Sequence, residues 1–234
     1  LYNGIRLPEQ WPPVRSSSSE LEKGMSPFYL SNKPSVINIS VGRQLFVDNF
    51  LIESTNLKRT FYYPEYYSGN PILTPEQDWE KTGTKGAAFA APFSDGVWYD
   101  EKEGKYKMWY MAGGGSYATN GAGITCYAES TDGIRWTKPT LSIVAGTNIV
   151  DYNSERDASV IWMDKQESNA SKRYKMFLVA RESGKWRYHY KTSPDGKVWR
   201  AAAQSEPIAD RSTVYKNPFR NVWVYSMRHN VRVN

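Results

Sequence analysis

The apolar residues of this chain come in runs of about five, rich in aromatic and β-branched side chains and separated by polar turns; no stretch sustains the stripe of an amphipathic helix. That pattern predicts an all-β protein. Residues 36–39, 44–47 and 59–63 read as short strands bounded by Gly, Pro, Asn or Asp. Before them, Pro8, Pro12, Pro13, the serines 16–19 and Pro27 interrupt any periodicity, so residues 1–35 read as an N-terminal arm and 36–234 as the folded domain. Asp48-Asn49 reads either as a hairpin turn or as the end of a strand that turns Asp48 toward an axis.

A repeat organises the second half of the chain. Asp95 leads through Val97-Trp98-Tyr99 and a turn into Tyr106-Lys107-Met108-Trp109-Tyr110. Asp157 leads through Val160-Ile161-Trp162 and a longer turn into Tyr174-Lys175-Met176-Phe177-Leu178, and Asp210 leads through Val214-Tyr215 into Trp223-Val224-Tyr225. The first two units continue into a third strand and then the turns Ser130-Thr131-Asp132-Gly133-Ile134-Arg135-Trp136 and Ser193-Pro194-Asp195-Gly196-Lys197-Val198-Trp199, 63 residues apart. Asp-Gly makes a tight turn because Gly accepts positive φ, and the Trp that follows is placed to pack between sheets. Asp132 and Asp195 are therefore turn residues. Strand, strand, strand, turn, strand is one blade, and blades that cannot bury both faces alone stack radially into a β-propeller. About two and a half blades follow Asp95, and residues 36–90 hold strands for about one more. A closed ring takes about four or more, so part of it lies in another chain or in a missing segment.

Composition narrows the chemistry. Aromatic residues make up 15% of the chain, ample to build a core, and no apolar run is long enough to span a membrane as a helix. The single Cys126 excludes an internal disulfide and a multi-thiolate metal site, and two histidines, His189 and His229, are too few for a His-rich zinc site. Catalysis must then rest on carboxylates. The net charge of +6 favours anionic partners, but the basic residues are scattered and form no nucleic-acid module. Gly113-Gly114-Gly115 lacks the Lys-Ser/Thr of a phosphate loop and reads as a strand connection.

The chain resembles the five-bladed propeller glycoside hydrolases, the group that contains glycoside hydrolase families 32 and 43 and the β-mannoside phosphorylases of family 130. The residues that carry the likeness are Asn70-Pro71-Ile72-Leu73-Thr74-Pro75 with Trp79-Glu80, the strand Tyr106-Lys107-Met108-Trp109-Tyr110, the two Asp-Gly-x-x-Trp turns and Arg156-Asp157 before a strand. The resemblance implies a five-bladed ring, of which this chain covers part, with catalytic acids on the innermost strands meeting in an axial funnel. Asp95, Asp157 and Asp210, one per unit at spacings of 62 and 53, occupy such places. Glycosidic cleavage uses two carboxyl groups, one to protonate the leaving oxygen and one to attack the anomeric carbon or activate water.

On that resemblance Arg156-Asp157 matches the Arg-Asp pair of family 32, whose aspartate steadies sugar hydroxyls in the transition state. Asp95 stands near the first-blade nucleophile or base, without the Asp-Pro pair expected there. Asp210 holds the third position, where those families usually carry Glu, and Glu182 is the alternative proton donor. Arg181, Arg228 and His229, each after the second strand of its unit, are placed to bind substrate with Arg156. Two guanidinium forks bind carboxylate or phosphate in bidentate fashion, which keeps a phosphate-dependent phosphorylase open beside a hydrolase. A silent propeller that binds glycans or proteins is the third reading. Trp79, Tyr117 and Trp186 are the candidate sugar-stacking aromatics. The substrate expected is an oligosaccharide or polysaccharide, with no cofactor; a central calcium ion would need oxygen ligands that spacing does not reveal. The resemblance also implies an exported protein, secreted or periplasmic, of bacterial type.

Overall fold

The computed structural model describes residue 9 and residues 34–40, 44–81, 87–118, 123–218 and 220–228. The chain divides into two compact units, Leu1–Glu65 with Arg232–Asn234, and Tyr66–Val231. The compact body that holds the repeat thus starts at Tyr66, well after residue 36.

In the first unit, residues 36–39, 44–47 and 59–63 form no strand. β-propensity expresses a fit to a pleated, half-buried surface, and most of these side chains are exposed, Tyr62 at 92% and Val36 at 81%. Asp48 takes the turn role. Its carboxylate accepts from Phe50 N at 2.9 Å, and Ile52 N donates to Asn49 O at 3.0 Å. The blade expected from residues 36–90 is therefore not formed among the described residues, which contribute only the isolated bridge between Lys81 and Ala88 before the first strand.

The second unit is an antiparallel meander. Seven strands pair in chain order: β1 (Ala90–Asp100), β2 (Lys105–Ala112), β3 (Gly123–Ser130), β4 (Ile149–Met163), β5 (Tyr174–Glu182), β6 (Lys185–Ser193) and β7 (Arg200–Gln204). A separate hairpin, β8 (Thr213–Asn217) with β9 (Val222–Ser226), follows. β4 serves two ladders. Its beginning lies beside β3, pairing Ile149 with Cys126, and its end lies beside β5, pairing Met163 with Tyr174. β1, β2, β3 and the start of β4 make one four-stranded unit, and the rest of β4 with β5, β6 and β7 makes the next. With β8 and β9 following as a further hairpin, the fold is all-β and has the strand succession of a β-propeller.

Period-two alternation stacks these blades. On β2, Met108, Tyr110 and Ala112 face a layer that includes Leu73, Trp79 and Tyr117, whereas Trp109 faces the second blade, packing with Ile161, Met163, Tyr174 and Met176. On β5, Met176 and Leu178 face back to the first blade, while Phe177 and Val179 face Val214 and Trp223 of the third. Each fully buried Trp or Tyr removes roughly 150–250 Å² from water, which at about 25 cal/mol per Å² contributes a few kcal/mol. Inner strands β1 and β4 are joined without a ladder. Ser94 Oγ donates to Ser159 O at 2.9 Å, Trp98 Nε1 donates to Ile161 O at 2.7 Å, and Trp98 meets Trp162 edge-on with centroids 4.7 Å apart.

The two Asp-Gly turns are built alike. Ser130 Oγ accepts from Gly133 N at 2.9 Å, and Asp132 Oδ1 accepts from Ile134 N and Arg135 N at 2.8 and 2.7 Å. Ser193 and Asp195 repeat this with Gly196, Lys197 and Val198. The backbone N–H groups of Arg135 and Ile134 hold the Asp132 carboxyl down to about 2. What differs is the surroundings. Trp109 Nε1 donates to Gly196 O at 2.6 Å, and a Cβ on Gly196, at φ +78°, meets the Trp109 ring at 2.3 Å. A Cβ on Gly133, at φ +75°, meets nothing closer than 3.6 Å. Gly133→Ala is therefore expected to cost about 1 kcal/mol, the left-handed backbone term alone. Gly196→Ala adds overpacking of roughly 1–3 kcal/mol. Urea unfolding of the two variants side by side checks this, and equal losses would show that the Gly196 turn does not lock the blades together.

Candidate active site

Asp95, Arg156, Asp157, Asp210 and Arg228, five of the residues expected to carry chemistry, fall into a row that crosses β1, β4 and the connection into β8. Asp95 lies where β1 bulges, since β1 residues 92–95 stand opposite a single β2 residue between the pairs Ala91–Met111 and Gly96–Trp109. Asp157 lies at a smaller bulge of β4, between the pairs Arg156–Ala180 and Ser159–Leu178. Bulges re-aim side chains at strand positions that regular pairing would commit to a face. Trp98 pairs with Lys107 and Trp162 with Lys175. Counted back from those tryptophans, Asp95 matches Ser159 and Asp157 matches Phe93, so the two aspartates are offset by two positions rather than equivalent. Asp210 precedes β8 by three residues and lies in the connection that leads into it.

The row alternates in charge. The Asp95 carboxylate is fully buried and faces Arg156, whose Nη2 donates to its two oxygens at 3.0 and 3.2 Å. Burial drives the Asp95 carboxyl above the ordinary aspartate value, with Arg156 pulling against it. Arg156 is buried as well, and its Nη1 donates to Thr125 Oγ1. Asp157 is reached by Arg211 twice, through the backbone N at 2.8 Å and through Nε at 3.1 Å. Asp210 is paired with Arg228 Nη1, while Arg228 N donates to Ser212 Oγ at 2.9 Å. Phe93, 45% exposed, lies under the Arg211 guanidinium at 5.0 Å.

Asp157, Asp210, Arg228 and, beneath them, Asp95 with Arg156 are thus brought to one patch. Glu182 and Arg181 are not joined to it by any contact among the described residues. Both sit at the exposed β5–β6 hairpin, where Glu182 Oε2 accepts from Gln204 Nε2 at 2.8 Å and Arg181 Nη1 donates to Glu155 Oε1 at 3.3 Å. His229 lies outside the described residues. Of the three aromatics expected at a rim, Trp79 packs into the layer under β2 with its Nε1 on Asn148, Tyr117 packs there against Tyr152, and Trp186 packs beside Phe177 beneath Arg181. The glycine run is a strand connection, as expected: Gly114 N and Gly115 N donate to Trp79 O and Lys81 O at 2.7 and 2.8 Å.

Sequence reasoning missed Arg211, Phe93 and Thr125. Arg211 had a signal, since Asp210-Arg211 is a second acid–base dipeptide beside Arg156-Asp157. Phe93 and Thr125 had none, because both read as ordinary strand residues.

The described residues hold no group of three His, Cys, Asp or Glu side chains placed to bind a metal ion, and no helix among them is long and apolar enough to cross a membrane. No protein-family model matches the chain, and no curated protein matches it either. Solved structures do. A variant fructofuranosidase from Schwanniomyces occidentalis, complexed with fructosylnystose, is similar at a TM-score of 0.43 and 15% identity over 56% of this chain. A protein from Bacteroides ovatus assigned as a glycoside hydrolase is similar at 0.37 and 20% over 62%, and fructan 1-exohydrolase IIa from Cichorium intybus, in complex with 1-kestose, at 0.41 and 13% over 68%. The chain spans 28%, 41% and 30% of those three chains in turn.

Proposed function

We propose that this chain forms part of a glycoside hydrolase that cleaves a glycosidic bond at the row of carboxylates and guanidinium groups on its inner strands. The observation that carries the reading is the convergence of Asp157, Arg211, Asp210 and Arg228, partly exposed and drawn from two successive blades, on one patch. Asp157, hydrogen-bonded by the Arg211 backbone N and ion-paired with its Nε, is assigned to steadying sugar hydroxyls and positive charge at the anomeric centre. Asp210, paired with Arg228, serves substrate binding. Glu182, at the exposed β5–β6 hairpin and joined to the patch by no contact among the described residues, is left out of this scheme. Asp95 acts from below, fixing Arg156.

The funnel is completed by a further segment or a second chain carrying the remaining blades, and the protein acts outside the cytoplasm on an oligosaccharide or polysaccharide. The native protein is expected to release sugar from a panel of neutral and acidic oligosaccharides, scored by chromatography, in buffer free of phosphate. Products that form only with added phosphate and carry it would establish the phosphorylase reading instead. Binding without any cleavage would leave a glycan-binding propeller.

A further inference from the structure

We infer that Arg211 is a fork for an oxyanion carried by the substrate, so that the glycan taken by this site is acidic and presents a carboxylate there. The inference deepens the reading above and rests on it. Arg211 differs from the other arginines of the patch in which edge of its guanidinium is committed. Arg156 spends both terminal nitrogens on Asp95 and Thr125, and Arg228 engages Asp210 through Nη1. Arg211 gives Asp157 only its Nε, and among the described residues its two terminal nitrogens have no acceptor. Its side chain is 59% exposed. A guanidinium bound along one side in this way keeps the edge formed by Nη1 and Nη2, whose parallel N–H groups match the two oxygens of a carboxylate or a phosphate.

The fork is also held in place. Arg211 is a non-glycine residue at φ +59°, a left-handed conformation that costs an L-residue energy and persists where the surroundings impose it. Here the surroundings are identifiable. Asp157 grips both the backbone N and Nε of the same residue, and the Phe93 ring lies beneath the guanidinium at 5.0 Å. A long side chain on a surface ordinarily loses rotamer freedom when it binds a ligand; this one has already lost most of it, so the entropic cost of binding is reduced. Within the patch each of Asp95, Asp157 and Asp210 is matched by one guanidinium, so the pairs cancel locally, while the chain's net charge of +6 favours approach of an anion.

The test uses the full chain and calorimetry at low salt, with three probes: trigalacturonate, its methyl ester and inorganic phosphate. Trigalacturonate is expected to bind at least about tenfold more tightly than the ester, the worth of a charge-assisted bidentate contact. Arg211→Gly is expected to erase that preference while the melting temperature stays level or rises, because Gly adopts φ +59° without strain. Arg211→Lys, a point charge without the fork, is expected to recover only part of it. The idea is overturned by equal binding of acid and ester to the unaltered protein, or by an Arg211→Gly protein that still prefers the acid. Tight phosphate binding that Arg211→Gly abolishes, with no preference for the acidic sugar, would keep an anion fork but overturn the acidic-glycan assignment. Cleavage is scored separately. In the unaltered protein, equal binding of acid and ester with cleavage intact sinks the fork alone, and a preference for the acid with no cleavage of any substrate sinks the hydrolase reading alone.

Discussion

Asp157→Asn is expected to lower turnover by about 100-fold or more, the usual loss when one preorganised electrostatic partner of a transition state is removed. Asn keeps the size and one acceptor oxygen of Asp157 but not its charge. The carboxylate now meets Arg211 with both oxygens, Oδ2 on the backbone N and Oδ1 on Nε. An amide replaces one of those acceptors with a donor facing a cation. Two effects are therefore mixed, loss of negative charge at the anomeric centre and loosening of Arg211, and Arg211→Gly separates them. If the two variants lose activity equally, Asp157 acts through Arg211; a far larger loss in Asp157→Asn assigns the carboxylate to the reacting centre. The stability change should stay within about 1 kcal/mol, because the pair is partly solvated, with side chains 17% and 59% exposed. Initial rates and a melting curve on the same preparation decide it. An Asp157→Asn enzyme with unaltered rates would remove the main support for carboxylate chemistry in this row.

Lys107→Met should produce the largest loss of stability. Lys107 is fully buried on β2, with its ammonium 3.0 Å from Asp100, 2.7 Å from Glu103 and 3.0 Å from the Tyr174 hydroxyl of the next blade. Asp100 is fully buried too and also takes Arg173 at 2.6 Å. Burial alone pushes the Asp100 carboxyl up, but hydrogen bonds from Tyr174, Lys107 and Arg173 together hold it far below the ordinary value. Removing one partner of such a buried cluster strands charge in a medium that solvates it poorly, at a cost of about 3–5 kcal/mol, or roughly 10 °C in melting temperature for a domain of this size.

The second blade carries a looser copy, in which Lys175 meets Asp164 at 3.1 Å and Glu167 at 3.0 Å, and Glu167 is 22% exposed. Lys175→Met should accordingly cost less. A carboxyl whose folded pKa is depressed stabilises the fold above its unfolded value of about 3.9, and that stabilisation is lost as pH falls below it. Tryptophan fluorescence between pH 5 and pH 2 should therefore show acid unfolding, and Asp100→Asn should flatten its pH dependence while lowering stability at pH 7. Lys107→Met and Lys175→Met proteins of equal and native stability would show that these clusters do not hold the blades together.

The same lysines show where sequence reading stopped. Tyr106-Lys107-Met108 and Tyr174-Lys175-Met176 are visible as matched strands, but the pattern completes only with Asp100 and Glu103, Asp164 and Glu167, which sit at matching steps after Trp98 and Trp162. Those acids look like ordinary turn residues until the hairpin folds back and sets them against the lysine ammonium.

Local patterns determined much of this protein. Alternation of side chains specified which residues of β2 and β5 face which layer, because a strand's two faces follow from a period of two and need no partner to define them. The Asp-Gly turns were legible for a similar reason, since Ser, Asp and Gly form their hydrogen bonds within three residues of one another. Tertiary structure decided what depends on a partner far along the chain. Residues 36–39, 44–47 and 59–63 have the composition of strands and form no ladder, since a ladder needs a second backbone as well as propensity. Asp95 and Asp157 look equivalent by spacing and are offset by two positions, because they lie three and five residues before Trp98 and Trp162, which pairing with Lys107 on β2 and Lys175 on β5 makes equivalent. Arg211 became part of the site through a carboxylate 54 residues away in the chain, a contact made by the side-by-side packing of blades and by no feature of its own neighbourhood.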